Sequence, residues 1–490
     1  MEVLHKIKTV LDLYKNLPVQ VKGSIWFLVC SFLQKGVAFI STPIFTRLMT
    51  PEEYGQYSVF TSWQGVLSVF VSLNLFAGVY LRGLVKYKDE RSQFISSFQG
   101  LGFTSTVIWT GIYVVFKDFI NEITGLTTVQ MFSMLLLIWL SMVFAFWAAE
   151  QRVDFKYKTL VALTILVSLA NTGISILFVY CADDKVTARI LGMALVELIA
   201  YLGLFISQLK KGRQFFNKKF WKHALKFNIP LIPHYLSTTV LNSADRIMIA
   251  EMVGDYEAGI YNLAYQVSMV MTLFNTALTQ TIEPWLYKKI NNKEIDSISK
   301  VAYPALMGIA SLNILLIALA PEAVAVFAPA EYKNAIYIIP PVAMSGCFMF
   351  LYFFFAVFEF YYSKTKFIAG ATMVGAVLNI VLNYIFIDLF GYMAAGYTTL
   401  TCYIVYAVCH YIGMNKACKE NLESIRPYKA KIIVLISLAF MGIGFIFLFT
   451  YNYPIIRYAL LITIVVVAII MRKKIISFVK ELLSLRKKEE

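Results

Sequence analysis

Apolar stretches long enough to span a bilayer follow one another along the whole chain. The short polar segments between them alternate between strongly basic and nearly uncharged. A bilayer core about 30 Å thick takes roughly 20 apolar residues in a helix that rises about 1.5 Å per residue. A helix also satisfies its own backbone hydrogen bonds where no water can. The pattern therefore predicts helices over 22–46, 54–81, 94–116, 128–149, 159–180, 188–208, 227–251, 259–286, 301–320, 335–362, 367–387, 393–414, 431–450 and 454–471. The expected fold class is all-α, a polytopic membrane protein with about 14 transmembrane helices.

The chain also repeats itself. Glu53, Gly55 and Tyr57 match Glu257, Gly259 and Tyr261 at an offset of 204 residues, and Gly192 matches Gly396 at the same offset. Lys158 and Asn171 fall opposite Lys366 and Asn379 at an offset of 208. This reads as two pseudo-symmetric six-helix bundles of the same orientation, with two C-terminal helices appended. The implied organisation is a first bundle over 1–209, a basic linker over 210–226, a second bundle over 227–415, two additional helices within 416–471 and a basic tail over 472–490. Parallel repeats of this kind are a transporter pattern, with the substrate site expected near mid-membrane.

Charge fixes an orientation for this topology. With the N-terminus inside, the inner segments hold 36 of the 44 Lys and Arg, and the outer loops hold six: Arg47, Lys117, Lys185, Arg189, Lys333 and Arg457. Short basic loops resist translocation, so both termini are expected to be cytoplasmic. The net charge of +15 then belongs mostly to the inner surface, where it attracts anionic lipids. Nucleic-acid binding is the wrong inference, because no soluble domain is left to carry it. Hydrophobic residues make up 59% of the chain, beyond the usual soluble range. The linker and the tail could each form an amphipathic helix on the inner leaflet, the linker through Phe215, Phe216, Phe220 and Trp221 among its lysines.

Charges at membrane depth are costly and point to function or to a buried pair. Lys35 sits near the middle of the first span, next to Gln34 and on a face with Ser31, Ala38 and Thr42. It is too far from either end to snorkel. The seventh span is the most polar: His234, Thr238, Asn242 and Asp245 recur at helical spacing, Arg246 follows, and Pro230 and Pro233 predict an interruption near its inner end. Glu197 lies near the centre of the sixth span, where it could titrate or pair with Lys35 or Arg246. For Glu283 and Glu359, nearer the inner ends, interfacial placement is the simpler account. Asn74, Asn171, Asn275, Asn379 and Asn383 suit either a sugar-compatible cavity or interhelical hydrogen bonds. The candidate substrate-binding residues are thus Lys35, Arg246, Asn242, Gln34 and His234, and the candidate coupling or charge-pair residues are Asp245 and Glu197. No phosphate-binding glycine loop, catalytic constellation or metal-ligand spacing stands out, and the six scattered cysteines read as inert thiols with only Cys181 in an outer loop.

The run Thr46-Arg47-Leu48-Met49-Thr50-Pro51-Glu52-Glu53-Tyr54-Gly55-Gln56-Tyr57, after a polar first span, resembles the Wzx-type polysaccharide-biosynthesis flippases of the multidrug/oligosaccharidyl-lipid/polysaccharide exporter superfamily. Asn242-Ser243-Ala244-Asp245-Arg246, followed by Gly254 and Gly259-Ile260-Tyr261, looks like the matching segment of the second half. The resemblance implies a non-enzymatic protein of the bacterial cytoplasmic membrane. Its implied task is to flip undecaprenyl-pyrophosphate-linked oligosaccharide repeat units from the inner to the outer leaflet by alternating access. Capsule, O-antigen or exopolysaccharide assembly would follow, with a polymerase and chain-length machinery as partners. No cofactor is implied, though coupling to a Na+ or H+ gradient is. The alternatives are a multidrug or lipid II-type exporter of the same superfamily and, with less support from the short outer loops, a membrane glycan polymerase or ligase.

Overall fold

The computed structural model describes residues 19–76, 78–422, 425–470, 472, 473 and 477. The tail expected at 472–490 therefore lies almost wholly outside the described residues, as does the chain before Val19. The first half of the chain folds as α1 (Val19–Leu48), α2 (Pro51–Ser72), α3 (Val79–Lys86), α4 (Arg91–Val115), α5 (Lys117–Thr124), α6 (Thr128–Val153), α7 (Tyr157–Cys181), α8 (Lys185–Gly212) and α9 (Lys218–Asn228). The rest folds as α10 (Ile232–Met252), α11 (Asp255–Ser268), α12 (Val270–Asn291), α13 (Ile298–Ala318), α14 (Ala320–Phe327), α15 (Ile339–Tyr361), α16 (Thr365–Phe390), α17 (Ala394–Asn421), α18 (Ala430–Phe449) and α19 (Pro454–Ile470). Among the described residues there is no strand.

Every expected span is helical, but several are broken. Among the described residues, seven helices are long and apolar enough to cross a membrane on those grounds alone, or eight if α4 and α5, bent by 92°, form one span. The others, α1, α2, α10, α12 and α17 among them, carry the polar positions that lower their hydropathy. The second span stops early: α2 ends at Ser72, and Leu73 and Asn74 take φ of 49° and 46°. The eighth is divided at Met269 into α11 and α12. The prolines of the seventh give the expected interruption, a 3-10 turn over Ile229–Leu231 ahead of α10.

The chain clusters into two compact units. One contains the residues up to Met49 together with Phe60–Leu236, and the other contains Thr50–Val59 together with the chain from Ser237 onward. The first is cored by stacked aromatics: the Tyr80 ring lies 5.2 Å from Phe98 and 4.6 Å from Phe146. At one edge Arg91 and Lys156 bind Asp154 at 2.7 and 3.1 Å. Burial tends to raise the Asp154 carboxyl, but these hydrogen bonds and the two charges outweigh it, so it is held below the usual carboxylate range. Part of the linker belongs to this unit's core and not to the leaflet surface. Asn217 caps α9, Phe220 is fully buried 5.2 Å from Phe94, and the Trp221 indole donates to the Ser97 carbonyl at 2.9 Å. Phe215 and Phe216 stay exposed.

In the second unit α15 and α17 pack side by side, and Phe350, Phe354, Phe355 and Phe358 join Leu400, Ala407 and Met414 in one core. The repeated motif acquires a physical meaning here. Thr50 and Glu53 form a reciprocal cap, with the Thr50 amide donating to Glu53 Oε2 at 2.8 Å and the Glu53 amide to Thr50 Oγ1 at 3.3 Å. Pro51 occupies the first helical position, where a missing N–H costs nothing. Gly55 then lies against the backbone of Asp255, so that an added Cβ would sit 1.8 Å from its carbonyl oxygen. Reciprocally, a Cβ on Gly259 would sit 2.0 Å from the Pro51 carbonyl oxygen. Each glycine of the repeat thus meets the helix start of the other copy, and the 204-residue offset appears as a local two-fold contact.

Candidate functional site

A buried acid of the second unit is Asp245 on α10, 2% exposed. Both carboxylate oxygens are engaged. Oδ1 accepts from Asn383 Nδ2 at 2.7 Å and from Asn379 Nδ2 at 3.3 Å, both on α16. Oδ2 accepts from the Tyr261 hydroxyl of α11 at 2.6 Å and from Thr399 Oγ1 of α17 at 2.7 Å. Thr398 Oγ1 in turn donates to Asn383 Oδ1. Four helices therefore converge on one acid through neutral donors, and an ionised carboxylate, being an acceptor only, is what such a cage satisfies.

Arg246, the next residue, is 8% exposed. Its guanidinium donates to the Asn242 carbonyl and lies 4.4 Å over the Tyr265 ring, where the cation meets the negative face of the π-system. Asn242 is exposed; its Nδ2 donates to the Thr238 carbonyl at 2.7 Å, and its Oδ1 accepts from the Tyr403 hydroxyl at 3.4 Å. His234, two turns earlier, is half-buried, and its buried Nδ1 has no hydrogen-bond partner. The polar face read along α10 therefore divides. Asp245 turns into the bundle, while Asn242 remains accessible.

Lys35, Gln34 and Glu197 belong to the first unit. Lys35 and Gln34 are exposed on α1, and Lys35 forms no ion pair among the described residues. Glu197 on α8 accepts from Asn171 Nδ2 of α7 at 3.4 Å. Asn171 and Asn379 are repeat mates. Each holds the acid that interrupts an apolar region of its own unit, Glu197 in one and Asp245 in the other.

A third polar centre differs from its expected surroundings. Glu359 on α15 is not interfacial; it is fully buried, and Oε2 lies 2.6 Å from His410 Nδ1 on α17, itself fully buried. The rings of Tyr352 and Tyr406 flank the imidazole with centroids 5.3 and 4.4 Å away. Glu359 Oε1 and His410 Nε2 have no further partner. A Cβ on Gly413 would fall 2.0 Å from Glu359 Oε1, so glycine makes room for the carboxylate. Among the described residues no group of three or more His, Cys, Asp or Glu could hold a metal.

Long apolar helices that carry buried polar residues define the molecule as a polytopic membrane protein. Its fold matches the inward closed lipid II flippase MurJ, with a TM-score of 0.67 at 14% identity over 92% of this chain and all of that one. It also matches an inward-facing multidrug resistance MATE family transporter of the MOP superfamily, with a TM-score of 0.59 at 12% identity over 79% of this chain and 96% of that one. A protein of the Lsg locus of Haemophilus influenzae is 24% identical over 376 residues, 73% of this chain and 89% of its own. The chain belongs to the polysaccharide biosynthesis protein family, whose profile matches residues 20–290, more than half of its length.

The sequence pattern singled out Asp245 and Arg246 but not the cage around Asp245. Tyr261 stood out only as a member of the repeat, and Thr398 and Thr399 gave no signal, because hydroxyl residues are ordinary in membrane helices. Asn379 and Asn383 were visible as polar residues four apart on one helix, a spacing that puts both on one face.

Proposed function

We propose that this protein flips a lipid-linked oligosaccharide, carried on undecaprenyl pyrophosphate, from the inner to the outer leaflet of the cytoplasmic membrane. Family membership over residues 20–290 is the observation that carries this reading. The task needs a path for a polar head group and a source of direction, with no bond made or broken. The candidate path residues are Lys35, Gln34, His234, Asn242 and Arg246, of which Lys35, Gln34 and Asn242 are exposed. A hydrated cation suits a pyrophosphate, and the prenyl tail can stay in lipid while the head group moves by alternating access. Direction would come from Asp245. A proton or a Na+ ion arriving there competes with the four donors that now hold the carboxylate, so binding would loosen α11, α16 and α17 from α10. A multidrug exporter is the second reading, which the acids Asp245 and Glu197 favour.

The test is leaflet accessibility of lipid-linked oligosaccharide in cells with and without the protein. Accumulation on the cytoplasmic leaflet in its absence, relieved by the wild type and not by Lys35→Ala, is the expected result. Normal translocation with unpolymerised units outside would point to a polymerase or ligase instead. Normal flipping by both Lys35→Ala and Arg246→Ala would remove the cationic path from the mechanism.

A further inference from the structure

A polar recess lies in the second unit between α12 and α15. Its volume is about 280 Å³, near the lower limit of small-molecule sites, which run from about 300 Å³ upward. That is room for one ring, not for a chain of them. One wall is the polar stripe Asn275, Thr276, Thr279 and Glu283 of α12, and the facing wall includes the aromatic rings of Tyr352 and Phe353 on α15. The spacing of the stripe places its four side chains along one helix face.

The hydrogen-bond directions along that stripe decide what it can offer a ligand. Thr276 Oγ1 has given its proton to the Thr272 carbonyl at 2.6 Å, and Thr279 Oγ1 has given its own to the Asn275 carbonyl at 2.9 Å. The Asn275 amide donates to the Gly346 carbonyl at 3.0 Å, which leaves Oδ1 buried with no partner on a side chain only 4% exposed. Glu283 Oε1 accepts from the Tyr287 hydroxyl at 3.2 Å, and a carboxylate has further lone pairs to fill. Along the stripe the acceptors are two hydroxyl oxygens and the Glu283 carboxylate, and the remaining donor is the second N–H of Asn275. On the facing wall the Tyr352 hydroxyl also has a proton to give.

A wall made mostly of acceptors facing an aromatic wall selects a ligand with hydrogen-bond donors on its edge and an apolar face. We propose that this recess is a sugar subsite for a neutral or amino sugar ring of the transported head group, and that it rejects uronic acids and phosphates. The inference rests on the reading of the protein as a flippase of lipid-linked sugars. Sugar hydroxyls or an ammonium group donate to Thr276, Thr279 and Glu283, while the C–H face of the ring rests on the aromatic wall. An anionic ring would bring acceptors to acceptors and a second negative charge beside Glu283.

Two readouts test the subsite and the flippase reading separately. In proteoliposomes, prenyl pyrophosphates bearing glucose, glucosamine or glucuronic acid are compared for translocation. On detergent-purified protein, saturation-transfer NMR with the three methyl glycosides reads binding without transport. The expected result is that glucose and glucosamine are bound and moved about tenfold better than glucuronic acid. Glu283→Gln reduces the glucosamine-to-glucuronic acid ratio about tenfold, the size of effect one charge-assisted hydrogen bond supports. Thr279→Val, nearly isosteric, weakens all three sugars together, and both variants should melt with the wild type. Translocation with no discrimination among the three sugars, unchanged by Glu283→Gln, would overturn the subsite and leave the flippase reading standing. Discriminating binding without translocation would do the reverse. Neither binding nor translocation would remove both.

Discussion

At the scale of single residues, the informative ones are acids placed where lipid-facing side chains should be. Asp245 accepts from four neutral side chains, and replacing it by Asn sets an amide N–H₂ against donors that have nowhere else to turn. Asp245→Asn is expected to cost about 1–3 kcal/mol of stability and to abolish dependence of transport on an imposed Na+ or H+ gradient. Transport assayed with and without the gradient checks this, and a variant that keeps gradient dependence would take the coupling role away from Asp245. Glu359 and His410 form the buried pair of the same unit. Removing one member leaves the other buried and unmatched, so Glu359→Ala should lower stability by about 3–5 kcal/mol, read as a fall in melting temperature in detergent. Asp154 makes the opposite kind of prediction, one of pH. Its carboxyl is held below the ordinary range, so its two ion pairs contribute stability above the unfolded value of about 3.8. That contribution is lost as pH falls through the lower folded value. Asp154→Asn should therefore flatten the acid limb of a melting-temperature profile and leave less change with pH below 4. Asp245 was legible in the sequence because charge at membrane depth has few explanations, whereas Glu359 read as interfacial and Asp154 was not singled out. The partners of Asp245 were not legible, because Asn379, Asn383 and Thr399 lie 134, 138 and 154 residues from it and meet it only in the folded unit.

At the scale of elements, hydropathy located the helices and missed their breaks. The interruption before α10 was readable because Pro230 and Pro233 announce it. The divisions after Ser72 and at Met269 were not, since neither Leu73, Asn74 nor Met269 is a residue that forces a break by its own covalent geometry. The helix start at Pro51 was readable as a motif before its chemistry was: a threonine cap, a proline at the first position and a glutamate reaching back. The repeat glycines supply the strictest local requirement. Gly55→Ala would drive a Cβ to 1.8 Å from the Asp255 carbonyl oxygen, and backbone cannot give way as a flexible side chain can. A cost of about 1–3 kcal/mol is expected, seen as a lower melting temperature. Gly308→Ala on α13 is the matched control: nothing lies within 4 Å of its added Cβ, so alanine's better helix propensity should leave that variant level with the wild type or slightly more stable. Equal melting for Gly55→Ala and the wild type would mean that α2 and α11 do not meet as closely as described.

At the scale of the whole molecule, the charge asymmetry and the helix breaks make a joint prediction about sidedness. Cys181 ends α7, is exposed, and follows the fifth expected span, which places it outside if the N-terminus is inside. Cys30, Cys347, Cys402 and Cys418 are buried, so a membrane-impermeant maleimide applied to intact cells should label chiefly Cys181. Asn292 is exposed just beyond α12, and three crossings separate it from Cys181: α8, α10 and the α11–α12 pair. An odd number of crossings puts the two residues on opposite faces. Asn292→Cys in a Cys181→Ser background should therefore react only after the membrane is permeabilised. Labelling of Cys181 only in permeabilised cells would invert the orientation that the basic loops imply. Labelling of both sites in intact cells would keep the orientation up to α7 but remove one crossing. The α11–α12 pair, divided at Met269, is where that crossing would be lost, because a helix pair broken near its middle can return to the face it entered from. The stripe from Asn275 to Glu283 lies on α12, so the same labelling also fixes which leaflet the sugar recess serves: reaction at Asn292→Cys from the inside places Glu283 two and a half turns from the cytoplasmic end of its span, where a substrate made in the cytoplasm would first be met.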